Sequence, residues 1–61
     1  MDQTAFHLHE LTDRAHIAST FVQQAIGGHP ALDAHTDLKR LYLDAVAALE
    51  ALYQAAGQLE K

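Results

Sequence analysis

The sequence predicts an all-α protein, an antiparallel two-helix hairpin that dimerises into a four-helix bundle. Three observations support that expectation. Apolar residues recur at spacings of three and four in two long segments, which is the helical period. The one strong interruption, Gly27-Gly28-His29-Pro30, falls near the middle of a 61-residue chain. Both segments also carry more apolar surface than one neighbouring helix can cover.

The first segment reads as a helix over about 3–26, with Asp2 or Thr4 placed to cap its first amides. At ~100° per residue, Leu8, Leu11, Ala15, Ala18, Val22, Ala25 and Ile26 share one stripe. Phe6, Ile17 and Phe21 form a shoulder roughly 130° from the centre of that stripe, and Arg14 lies between the two groups.

The connection is expected at 27–30. Two glycines supply left-handed or irregular backbone at a helix C-terminus, and Pro30 biases His29 away from helical geometry while suiting a first helical turn itself. A connection this short makes antiparallel neighbours.

The second segment reads as a helix over about 31–58 with a break near 34–36. Asp33 and Thr36 are candidate caps, and Asp37 falls in a first turn where the helix dipole favours an acid. Leu38, Leu41, Tyr42, Ala45, Val46, Leu49, Leu52, Tyr53, Ala56 and Leu59 then fill more than a third of the helix circumference. Gly57 marks the expected end, with fraying beyond it.

A hairpin uses one stripe per helix, so the rest of this surface needs a further partner. A second copy is the simplest one, with an interface drawn from Phe6, Ile17, Phe21, Leu38, Tyr42, Ala45, Leu49, Leu52 and Tyr53. A helix from another protein is the alternative. Ala15, Ala18 and Ala25 facing Ala45, Ala48 and Ala56 suggest a close approach of the helices.

Composition narrows the function classes. With no cysteine there is no disulfide, thiolate metal site or thiol nucleophile. Only 4 Lys and Arg stand against 8 Asp and Glu, a net charge of −4, so neither nucleic acid nor an anionic membrane is an expected partner. The start Met1-Asp2-Gln3-Thr4 has no basic or apolar leader, and no apolar run approaches the ~20 residues of a membrane span, so a cytoplasmic protein is expected.

Five histidines are the compositional oddity. His9, Asp13 and His16 stand at i, i+4 and i+7, a row able to place two imidazoles and a carboxylate around a divalent metal. The same row lies almost opposite the Leu8 stripe, where a solvated helix face belongs. His9-Glu10 resembles the phosphoacceptor box of two-component histidine kinases, which implies a phosphoaccepting His9 with an acid assisting proton handling. The resemblance covers those two residues, and Arg14 stands where that family usually has Pro. His7 borders the apolar stripe, and neither His29 nor His35 has a catalytic partner at a readable spacing.

Ser19, the lone serine, lies mid-helix without the strand-to-helix turn of a nucleophile elbow, and Gly27-Gly28 lacks the Lys-Ser/Thr of a phosphate loop. No enzyme is expected, and no cofactor. Tyr42 and Tyr53 share a face as core-edge aromatics with their hydroxyls reaching water. Leu43 sits among Lys39, Arg40, Ala47 and Glu50 on the polar side. In size and plan the expected hairpin is similar to the Rop-type plasmid copy-number regulators. Those proteins grip RNA through basic residues on their first helices, and here that helix carries only Arg14, so only the architecture is implied. The expected role is a small non-enzymatic interaction or regulatory protein. The competing expectation is a metal-binding or phosphotransfer bundle on the histidine row.

Overall fold

The computed structural model describes residues 3–60, with Gln3 described in its backbone alone. The chain forms α1 (Gln3–Ile26), α2 (Pro30–Ala34) and α3 (Thr36–Glu60), with α1 packed on α3 as a helical hairpin. Asp2, one of the two candidate caps, lies outside the described residues. Thr4, the other, sits inside the first turn of α1 and does not precede it.

The glycine turn differs from its expected geometry. No glycine among the described residues adopts a positive φ. Gly27 continues the helical bonding, its N–H donating to the Gln23 carbonyl at 2.9 Å. Its glycine character answers a different need. A Cβ at residue 27 would stand 2.5 Å from the Gln23 carbonyl oxygen and 2.6 Å from the Tyr42 hydroxyl. The α1 carbonyl one turn back and the Tyr42 hydroxyl of α3, rather than a left-handed bend, exclude a side chain there.

Helix α2 is a single short segment of 5 residues. His29 caps it, with extended backbone (φ −72°, ψ 130°) and its Nδ1 accepting from the Ala31 N–H at 3.1 Å. Pro30 takes the first helical position, where a missing N–H costs nothing. Leu32 is buried, and Lys39 reaches back from α3 to Asp33 at 3.3 Å. His35 separates α2 from α3, and its carbonyl accepts the first bond of α3 from the Lys39 N–H at 3.0 Å. That places His35 at the start of α3, not Asp33 or Thr36.

Gly57 does not end the last helix, which continues to Glu60. The glycine is half-buried, and a Cβ there would stand 4.0 Å from the Thr12 methyl of α1. Packing against a neighbour carries the helix through a residue that intrinsic propensity would make its end.

The register of the hairpin is consistent along its length. His9 meets Glu60, Thr12 lies by Gly57, His16 meets Tyr53, Ser19 meets Glu50 and Gly27 lies by Tyr42. These pairs are symmetric about Ala34 and His35, so α2 belongs to the turn and displaces its centre from Gly27-Gly28. The seam is built of small residues. Ala15, Ser19 and Ala56 are buried, with Gly57 beside them. Small side chains let the helices approach closely, and they leave the large ones elsewhere.

Elsewhere means outside. On α1 the packed face is turned about 50° from the centre of the Leu8 stripe, toward Thr12 and Ser19, at ~100° per residue. Leu8, Ala18 and Val22 are consequently half-buried, and Leu11, Ala25 and Ile26 are exposed. Of the six alanines expected at the seam, only Ala15 and Ala56 are buried. The molecule is a rod of 50 × 16 × 12 Å with a radius of gyration of 14.4 Å, where a compact chain of this length has about 10.5 Å. Among the described residues no helix is long and apolar enough to cross a membrane.

Candidate functional site

Three surfaces follow from this packing: a polar groove along one side of the hairpin, an apolar ridge on the outside of α1, and an apolar side opposite the groove. The groove collects the histidine row. His9, Thr12, Asp13 and His16 of α1 line a depression of about 220 Å³ together with Tyr53 and Glu60 of α3. The row therefore flanks the seam instead of pointing straight away from it, because the seam rotated toward Thr12.

Within the groove, His9 Nδ1 stands 2.9 Å from Glu60 Oε1, and the His16 ring lies against Tyr53 at 5.4 Å between centroids. The Thr12 hydroxyl donates to the Leu8 carbonyl at 2.9 Å and also lies against the Glu60 carboxylate. Hydrogen bonding from Thr12 first, then from His9, holds the Glu60 carboxyl below its ordinary value, with the His9 charge adding to the effect. Glu60 was not singled out among the sequence candidates. Its acid sits at a helix C-terminus, where the dipole disfavours a negative charge, so its partners across the seam are what hold it there. Among the described residues no three His, Asp or Glu side chains are grouped as a metal ion requires, the His9, Asp13 and His16 row included.

Deeper in the seam, Ser19 is 1% exposed and donates to Glu50 Oε1 at 2.7 Å, while accepting from Gln23 Nε2 at 3.1 Å. A buried hydroxyl with both roles filled is a positioning contact between helices.

The ridge holds Phe6, Ile17 and Phe21, each more than half exposed. Phe6 and its neighbour His7 meet edge to face at 5.8 Å, and Glu10 and Arg14 pair at 3.5 Å between Phe6 and Ile17. The remaining interface candidates divide. Tyr42 and Tyr53 face α1, as the Gly27 and His16 contacts show, and Leu49 is half-buried. Leu38, Ala45 and Leu52 are exposed on α3, as are Leu41, Leu43 and Leu59.

These features define an all-α helical hairpin whose large apolar side chains lie mostly on its outside. Comparison with known protein families, characterised proteins and solved structures finds no match for the chain.

Proposed function

We propose that this is a non-enzymatic helical interaction protein that works as a homodimer, two hairpins closing into a four-helix bundle. The observation that supports the reading is the distribution of apolar surface. Among the described residues only Ala15, Leu32 and Ala56 form a buried apolar core, while ten large apolar residues from Phe6 to Leu59 remain at least 43% exposed. Burying even half of one such side chain is worth on the order of 1 kcal/mol. The accessible surface of 4764 Å² exceeds by about a fifth the roughly 3,900 Å² of a compact monomer of this mass. That surplus is on the order of the 800 Å² that one partner contributes to a standard interface.

Sedimentation equilibrium across micromolar concentrations tests the reading. A dimer mass with a melting temperature that rises with protein concentration is expected. A well-folded monomer with a concentration-independent melting temperature would overturn it.

The reading of the histidine row as a metal site has one supporting feature, the shared groove that brings Glu60 to His9 as a further oxygen donor. It has to break the His9–Glu60 pair and regroup His16 away from Tyr53, so the interaction reading is preferred. Added zinc is expected to leave the melting temperature unchanged. A rise that disappears in the His9→Ala/His16→Ala variant would restore the metal reading.

A further inference from the structure

We propose that the second copy seats on one side of the hairpin only, the side on which Leu11, Ala18 and Ala25 of α1 lie beside Leu38, Ala45 and Leu52 of α3. This inference rests on the homodimer reading and specifies its interface. The two sides of the hairpin are told apart by what crosses the seam. Thr12, Gly57, Gln54 and Gln58 line a groove with Tyr53 and Glu60, and His9 and His16 border the same side. That side is polar.

In an antiparallel pair, the residues turned the opposite way from both seams come together on the other side. At ~100° per residue these are Leu11, Ala18 and Ala25 on α1, and Leu38, Ala45 and Leu52 on α3. On α3 the pattern extends as Leu38, Leu41, Ala45, Ala48, Leu52, Ala55 and Leu59, spaced alternately by three and four with no charged residue among them. Such a run is the seam pattern of helices that pack on one another in bundles. Leu11, Leu38, Leu41, Leu52 and Leu59 are between 43% and 70% exposed, so the large apolar side chains of this side are open.

Size selects a second copy as the occupant. One broad side of a 50 × 16 Å rod offers on the order of 800 Å², matching both the surplus surface of the chain and one half of a standard interface. A two-fold pair also presents the same uncharged run to itself, so a net charge of −4 per chain is kept off the contact. The ridge does not meet these conditions. Ile17 points directly away from the seam, and the Glu10–Arg14 pair with Asp13 separates it from Phe6.

The test is a filtered NOE experiment on a mixed dimer of ¹³C-labelled and unlabelled full-length chains. Intermolecular contacts are expected at the methyl groups of Leu38, Ala45 and Leu52, with none at Ile17. In parallel, Ala45→Glu is expected to weaken dimerisation at least about tenfold, since it places a carboxylate in the contact, while Ile17→Glu changes it less than about twofold. Should Ala45→Glu fail to fold, the NOE pattern on the unaltered chain still decides. A dimer with intermolecular contacts at Ile17 and Phe21 but not on the leucine side would overturn this inference and leave the homodimer standing. A monomer at every concentration would overturn both.

Discussion

Ser19 and Glu60 show how single residues hold this hairpin without a large core. Ser19 is buried between the helices with its proton committed to Glu50 and its lone pair to Gln23. Replacing it by Ala leaves the part-buried Glu50 carboxylate short of a donor. Ser19→Ala is therefore expected to cost about 1–2 kcal/mol despite the better helix propensity of alanine, read as a lower denaturation midpoint at unchanged slope. Glu60 acts at the rim, with Thr12 and then His9 holding its carboxyl below its ordinary value. A carboxyl lowered in the folded state adds stability above its unfolded value and loses it as pH falls through the folded one. Glu60→Gln should melt earlier than the parent chain at about pH 6, and the difference should close toward pH 3. An equal difference at both values would rule out the carboxylate as the cause.

At the scale of the helices, two glycines that look alike in sequence do opposite things. A side chain at residue 27 meets backbone at 2.5 Å, while one at residue 57 meets only a methyl at 4.0 Å, inside a helix. Gly57→Ala is expected to stabilise α3 by about 0.5–1 kcal/mol, and Gly27→Ala to destabilise the hairpin by about 1 kcal/mol or more. Thermal melts of the two variants check the pair, and the same sign in both would contradict the packing described for Tyr42 and Thr12. The element boundaries were largely legible from pattern: the break at His35 and the end of α1 at Ile26 follow Pro30, the paired glycines and the apolar period. His29 as a cap was not, because an imidazole accepting from a backbone N–H two residues on leaves no periodic trace.

At the scale of the whole molecule, register is what sequence pattern could not supply. A turn centred on Gly27-Gly28 would set His9 opposite residues near 46, whereas the short helix α2 moves the centre to Ala34 and His35 and brings Glu60 to His9. The groove and the acid paired with His9 follow from that displacement. Charge remains a property of the composition. A chain with a net charge of −4 and a pI near 5.5 is expected to be least soluble close to that pH, where its net charge vanishes. A solubility curve flat from pH 7 to 5 would contradict this.

The all-helical class and the excess of apolar surface were determined by the sequence alone, since period and composition are local properties that survive any arrangement of the helices. The tertiary structure decided which part of each broad apolar arc the sister helix uses. It chose the small residues Ala15, Ser19, Ala56 and Gly57, because two helix backbones can come close only where side chains are short. Leu11, Leu38, Leu41, Leu52 and Leu59 were thereby left on one outer side and the aromatic ridge on another, a division that periodicity cannot make when an arc is wide enough to permit several rotations.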